Sequence, residues 1–244
     1  MNTTVASIPL LNLSILLIPV AIVLWCYIRW TMNITTVIYA LTRMLLQLLI
    51  IGYFLVSIFA INNALIVLLV LTVMVLVSAW IALRTTPLYQ KTWLIWAILS
   101  LIIGGGSTLV LILTMVLPMD VWYEPSVSIP ISGMVFATSM TAISLAAERY
   151  IMEIRQGSTV LEAKKSALNT AMIPLVNSLF AVGLVTLPGM MTGQVLSGVP
   201  PLIAARYQIM VMLMMFASGG LSAILFIQFI RNKVGNYNDQ ILRR

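Results

Sequence analysis

The chain has 244 residues, 61% of them hydrophobic and only 8% charged, with a net charge of +7. A soluble domain is about 25% charged, so this chain could not cover itself in water; it reads as an integral membrane protein without a separate soluble domain. The positive charge would suggest nucleic acid only on a soluble face, and here the bases flank apolar runs, so they report topology and no nucleic-acid partner is expected. There is no histidine and a single cysteine, Cys26. That removes the commonest metal ligand, the usual proton shuttle near neutral pH and any internal disulfide.

A spanning helix needs roughly 20 apolar residues. Seven runs qualify, at about Ile8–Ile28, Val37–Ala60, Ala64–Leu83, Thr92–Leu117, Val127–Ala147, Met172–Val195 and Ala204–Ile230. The first follows Met1–Ser7, which lacks the basic residues of a secretory signal, so it is expected to persist as a helix. Bases fall in alternate connections. Arg29 and Arg43 flank the first, Arg84 and Lys91 lie in the third, Arg149, Arg155, Lys164 and Lys165 in the fifth, and Arg231, Lys233, Arg243 and Arg244 in the tail. The second is only Ile61 to Asn63, the fourth holds Asp120 and Glu124, and the sixth has Arg206 at its far end alone. The positive-inside rule then predicts an all-α, polytopic protein of seven transmembrane helices, N-terminus outside and C-terminus cytoplasmic, forming one transmembrane domain over residues 1–244. Trp25, Trp30, Trp80, Trp93, Trp96 and Trp122 lie near predicted span ends, where an aromatic belt would place them.

In span two, Arg43 sits near the cytoplasmic end with Gln47 one turn further on the same face. An ionisable residue in a span is a candidate for a transport path, and a side chain snorkelling to the head groups is the alternative. Span four carries Gly104-Gly105-Gly106-Ser107. A phosphate loop needs G-x-x-x-x-G-K-[ST], and no Lys follows here. The run is expected to be a flexible or close-packed point of a helix, and the chain is not expected to hydrolyse nucleotide.

Connection five, Glu148 to Ala171, reads as the longest cytoplasmic loop. Gly157-Ser158 ends one segment, and Thr159-x-x-Glu162 fits a capping box. Val160, Ala163, Ala167 and Ala171 then recur at helical spacing beside Lys164 and Lys165, predicting a short amphipathic helix that leads through Pro174 into span six. Such a helix either docks a cytoplasmic partner, with Thr159, Glu162, Ala163, Lys164 and Lys165 as the contact, or rests on anionic lipid.

Span six is interrupted by Leu187-Pro188-Gly189-Met190-Met191-Thr192-Gly193-Gln194. Pro188 must bend or break the helix. Gly189, Gly193 and Ser197 make a face of small residues that another helix can approach, and Thr192 and Gln194 add polar groups. A broken segment in a membrane must be satisfied by protein or line a watery cavity. The stretch is therefore either a hinge on a transport path or a packing kink. Met190, Met191, Met210, Met212, Met214 and Met215 could pass a soft metal along or simply fill irregular space. Asp120, Glu124, Glu148, Glu153, Glu162 and Asp239 all fall in loops, the tail or span ends. The mid-span carboxylate usual in proton- or sodium-coupled transporters is therefore missing, as are the paired carboxylates, Ser/His pair or His cluster of a membrane hydrolase.

From Glu148 to Arg231 the chain resembles the FetB-type permeases. The likeness is carried by the octapeptide at Leu187–Gln194, by Gly198 to Pro201, and by Ala204-Ala205-Arg206-Tyr207-Gln208-Ile209. Such permeases are membrane subunits of an ABC transporter linked to iron export and oxidative-stress resistance, and plant aluminium-tolerance permeases belong with them. The resemblance implies a subunit in the inner (plasma) membrane that pairs with a separate cytoplasmic ATPase, works as a homodimer, exports iron or another metal or metal chelate, and holds no cofactor. It favours docking for connection five, where Glu162-Ala163 is similar to the Glu-Ala start of the coupling loop in ABC importers; the glycine usual after that start is absent here, where Lys164 to Asn169 follow. Iron rests on the resemblance alone, because no tight ligand set for a ferrous ion is visible. A secondary transporter and a non-transport scaffold are the other classes, separated from the first by whether a neighbouring gene encodes a P-loop ATPase.

Overall fold

The computed structural model describes residues 9–59 and 63–231. Met1–Ser7, Ile61 and Asn62 of the second connection, and Lys233, Asp239, Arg243 and Arg244 of the tail lie outside the described residues. Among those described, six helices are long and apolar enough to cross a membrane: Leu11–Arg29, Ile34–Phe54, Ala64–Ala82, Gln90–Val116, Pro125–Arg155 and Pro201–Ile230. The chain separates into two compact units, Met1–Ile61 and Asn62–Arg244.

In the first unit α1 (Leu10–Ser14) runs through a short turn into α2 (Leu17–Arg29), which packs on α3 (Ile34–Phe59). No residue of α2 is buried. A helix so apolar and so largely exposed is suited to lipid rather than water.

The second unit holds α4 (Ala64–Ala82), α5 (Gln90–Ser100), α6 (Ser107–Leu111), α7 (Pro125–Arg155), α8 (Val160–Ala181), α9 (Gly189–Leu196) and α10 (Pro201–Ile230). Asn63 opens α4, its side-chain oxygen accepting from the Leu65 N–H at 2.9 Å. Two π-helical turns, Leu101–Gly106 and Ile112–Val116, flank α6, so span four is one continuous but irregular helical rod. The first π turn contains the three glycines. A Cβ at Gly104 would lie 2.6 Å from the Ser222 backbone nitrogen, and one at Gly105 would lie 3.2 Å from Val135. The glycine run is a close-packed wedge between α7 and α10.

Side-chain contacts set the directions of the helices. Thr85 meets Ser144 at 3.3 Å, while a Cβ at Gly133 would touch Met74, so α4 and α7 run parallel. The Tyr150 hydroxyl donates to the Arg231 carbonyl at 3.2 Å, and Gly219 abuts Thr138, so α7 and α10 are also parallel. Lys164 donates to Gln228 at 2.9 Å, and Leu175 touches the Gly219 position, so α8 runs antiparallel to α10. The C-terminal ends of α4, α7 and α10 and the N-terminal ends of α5 and α8 therefore share one end of the unit. Arg84, Lys91, Arg149, Arg155, Lys164, Lys165 and Arg231 cluster there, and Asp120, Glu124 and Arg206 lie toward the other end. The alternation of charge along the sequence is thus a segregation in space.

Three expectations change. Trp93 does not belong to an aromatic belt: it is fully buried, stacked on Tyr89 with ring centroids 4.5 Å apart and edge-on to Phe226 at 5.9 Å. Connection five is not a long loop, because α7 continues to Arg155 and α8 starts at Val160, leaving only the turn at 156–159. Gly157, at φ +86, makes that turn possible: its N–H bonds back to Ile154 and that of Ser158 to Glu153, a helix ending that needs the left-handed conformation. Finally, the run Met172–Val195 is not one helix. It is the second half of α8, a break at 182–188, and α9.

Candidate functional site

Two places carry the residues singled out from the sequence: the basic end, where α7 turns into α8, and the break between α8 and α9. At the basic end the capping box forms as expected. The Thr159 hydroxyl oxygen accepts from the Glu162 N–H at 3.3 Å, and Glu162 Oε2 accepts from the Thr159 N–H at 2.9 Å and from its hydroxyl at 2.7 Å. Those hydrogen bonds, the Thr159 hydroxyl first, hold the Glu162 carboxyl below the usual carboxylate range. Behind the cap, Glu153 ties the two helices together. It pairs with Arg149 at 2.6 Å and accepts from the Ser158 hydroxyl at 2.7 Å and the Ser166 hydroxyl at 2.8 Å. Arg149 Nε in turn donates to Ser166 at 2.8 Å. Together these bonds fasten the end of α7 to the turn and to the first turns of α8.

The corner does not offer the face expected of it. Ala163, Ala167 and Ala171 are 0%, 0% and 1% exposed, because this small-residue stripe of α8 packs on α7 and α10. Alanine at every fourth position lets the helices approach closely. Ala163 is therefore a packing residue, unavailable to a partner or to lipid. Lys164 is half-buried and holds Gln228. What remains outward is Thr159, Leu161, Glu162 and Lys165, with Leu161 62% exposed. At the same end of the unit, Thr85, Pro87, Leu88, Glu148, Met152 and Arg155 line a groove of about 310 Å³. Leu88, Leu161 and Met152 went unremarked in the sequence; an apolar side chain within a basic connection was the available signal.

The break begins earlier than Pro188. α8 stops at Ala181, whose carbonyl accepts from the N–H of Val185 at 2.9 Å and of Thr186 at 3.0 Å. Gly183 then takes φ +85, which no continuing helix allows. Pro188 is extended and caps α9, so it starts a helix rather than kinking one. Leu184, Val185 and Leu187 are strongly exposed. Gly189 and Gly193 are exposed as well, and a Cβ on either would meet no atom within 4 Å; the close approach expected at this glycine face is not made. Thr192 donates to the Leu187 carbonyl at 3.3 Å. Met190, Met191 and Gln194 are half-buried, and α9 packs on α10. Pro188 to Gln194 thus stand together on one short element. Arg43, half-buried, and Gln47, exposed, lie one turn apart on α3 of the first unit.

Between these two places, Ala137, Thr138, Thr141, Pro174, Leu175, Ser178 and Met215 line a groove of about 260 Å³ between α7, α8 and α10. Pro174 lies inside α8, and its carbonyl accepts from the Ser178 hydroxyl at 2.8 Å. Among the described residues no group of three or more Cys, Asp or Glu stands close enough to hold a metal ion.

The model of the uncharacterised protein family UPF0014 matches residues 9–234. A UPF0014 membrane protein of Synechocystis is 33% identical over 88% of this chain and 90% of its own length. The probable iron export permease protein FetB of Escherichia coli is 31% identical over 84% of each chain. Protein ALUMINUM SENSITIVE 3 of Arabidopsis thaliana is 32% identical over 77% of this chain and 72% of its own. No solved structure matches. The chain is a multi-pass membrane protein and belongs to the UPF0014 family, with the probable iron export permease protein FetB among its relatives.

Proposed function

We propose that this chain is the membrane-spanning permease subunit of an ABC transporter that exports iron, or another metal or metal chelate, using ATP hydrolysed by a separate cytoplasmic subunit. The observation that carries the reading is its 31% identity to the probable iron export permease protein FetB of E. coli over 84% of both chains. Under the positive-inside rule the basic end of the second unit faces the cytoplasm of the inner membrane, with the N-terminus outside. α8 starts at that end and α10 starts at the other. The broken α8–α9 element then supplies a crossing that no single helix makes, for seven in all. The two units act as one permease domain, and two copies pair with two ATPase subunits.

Energy would enter at the α7–α8 corner. α7 has 31 residues, about 46 Å at 1.5 Å per residue, against a hydrocarbon core of about 30 Å. Its surplus turns extend past the membrane, where Glu153 and Arg149 clamp them to α8. A push on Thr159, Leu161, Glu162 and Lys165 would travel along α8 to the break and to the hinge at Pro188–Gln194. Arg43 and Gln47 remain candidates for the path on residue type. Exchanging the exposed charges as Glu162→Lys with Lys165→Glu tests the contact. Folding should survive, co-purification with the ATPase should weaken, and metal-stimulated hydrolysis should disappear. Normal binding and stimulation would move the coupling contact elsewhere.

A further inference from the structure

α8 carries polar side chains on the face it turns away from the rest of the second unit. Ala163, Ala167, Ala171 and Leu175 make its buried stripe. On the opposite side stand Asn169, Ile173, Asn177 and Phe180, all exposed, Ile173 at 55% and Phe180 at 77%. Their spacing of four, four and three residues keeps them on one helix face. Among the described residues, neither asparagine side chain has a hydrogen-bond partner.

Asn177 stands deep in the membrane. A Cβ at Gly219 would lie 2.8 Å from Leu175 and 3.2 Å from Thr138, so these three positions share one level. Thr138 is near the centre of α7 and Gly219 near the centre of α10, and both helices are long and apolar enough to cross a bilayer. Asn177 follows Leu175 by two residues, about 3 Å along the helix. Hydrocarbon offers an amide no hydrogen bond, and a bare polar group there is costly. The groove beside it gives no shelter, since Asn177 is not among the residues lining it at Thr138, Thr141 and Ser178. Something outside the second unit must meet this face with hydrogen-bonding groups.

We infer that a second copy of this chain covers the face, with the two Asn177 amides bonded to each other across a two-fold axis. This names the contact surface of the two-copy reading above and rests on it. An asparagine amide carries a carbonyl acceptor and an NH2 donor side by side, so two that face each other exchange two hydrogen bonds and satisfy one another. A symmetric pair sets each residue on the axis against its own counterpart. Copies inserted in the same sense put their α8 helices parallel, and one polar residue in an apolar parallel seam fixes the register at which the helices meet. Ile173 and Phe180, on either side of Asn177, supply the apolar contact, and Asn169 repeats the amide two turns nearer the cytoplasmic end. Inside a bilayer helices associate through such hydrogen bonds and packing, because lipid leaves no hydrophobic gain. An unrelated partner would need a matching amide at the same depth, and a second copy brings one with it.

The test uses the full-length chain in membranes of the expressing cell, in a Cys26→Ser background that removes the single native thiol. Copper phenanthroline, an oxidant that enters the bilayer, should link Asn177→Cys and Ile173→Cys into disulfide dimers. Leu213→Cys, exposed on α10, should stay monomeric on the same gel. In liposomes, energy transfer between labelled copies should show Asn177→Leu weakening association about tenfold, and Asn177→Gln, which keeps an amide, weakening it less. A dimeric wild type with no linkage at 173 or 177, or with association unchanged in Asn177→Leu, would overturn this surface and leave the ABC reading standing. A disulfide within one chain between Asn177→Cys and Gln47→Cys would overturn it too, giving the face to α3. A monomeric wild type would remove the two-copy reading itself, and this surface with it.

Discussion

The glycine run in span four offers the sharpest test of the packing. Gly104, Gly105 and Gly106 are neighbours in sequence but not in surroundings. A Cβ at Gly104 would lie 2.6 Å from the Ser222 nitrogen, 2.7 Å from its Oγ and 2.9 Å from its Cα. Carbon contacts are comfortable near 3.5 Å, so nearly 1 Å must be found, and two of the three atoms are α10 main chain. Overpacking of this kind costs about 1–3 kcal/mol. At Gly106 the nearest atom is the Leu101 carbonyl oxygen at 3.9 Å, an ordinary contact. Replacing glycine by alanine in a helix gains about 1 kcal/mol at either position, so that term cancels in the difference between the two variants. Gly104→Ala should be about 1–3 kcal/mol less stable than Gly106→Ala, at roughly 2–4 °C per kcal/mol in melting temperature. Gly105→Ala, facing side chains at 3.2 and 3.3 Å, should fall between. Thermal unfolding of the three variants in one detergent measures this. A melting point for Gly104→Ala at or above that of Gly106→Ala would show that the π turn is not wedged against α10.

Ala167→Asp should abolish a monodisperse, inserted protein rather than merely uncouple it, since an unpaired charge in the α7–α8–α10 seam costs several kcal/mol; a well-folded variant on size exclusion would contradict the buried stripe. Ser166→Ala removes two hydrogen bonds from the Arg149–Glu153 clamp and should lower stability by about 1–2 kcal/mol, read as a fall in melting temperature; an unchanged melting point would release α8 from α7. The Glu162 carboxyl is held below its ordinary range in the folded state, so its contribution to the cap is complete above that range and is lost as pH falls below the range, through the lowered folded-state value. Amide exchange over Leu161–Ala163 should therefore become less protected at acid pH in the wild type and show no such pH dependence in Glu162→Gln; identical profiles would remove the carboxylate from the cap. Cysteines placed at Asp120 should label from outside the cell, and those at Lys91 and Lys164 should not; labelling of Lys164→Cys from outside would invert the topology.

Much of the fold was legible in the chain, for identifiable reasons. Apolar length marks the spans, and bases in alternate connections mark the shared end, since both patterns reflect the bilayer directly. The Thr159–Glu162 box was readable because a cap depends on four consecutive residues. What escaped depends on partners far away in sequence. Helical spacing of Ala163, Ala167 and Ala171 tells that one face is apolar, but not that α7 and α10 cover it. Trp93 sits near a span end, yet Tyr89 and Phe226 draw it into the core. The break was anticipated at Pro188 because proline is the stronger signal; Gly183 stops the helix five residues sooner.

Energy supplied by a separate ATPase is the central claim, and transport by purified components tests it most directly. The chain would be reconstituted in liposomes, alone and with the proposed partner, a separate P-loop ATPase, and Fe(II) movement followed with and without ATP. The expected result is movement only with the ATPase and ATP together, with hydrolysis rising when Fe(II) is added. Equal movement by the chain alone, driven by a proton or sodium gradient, would contradict the claim and make the protein a secondary transporter.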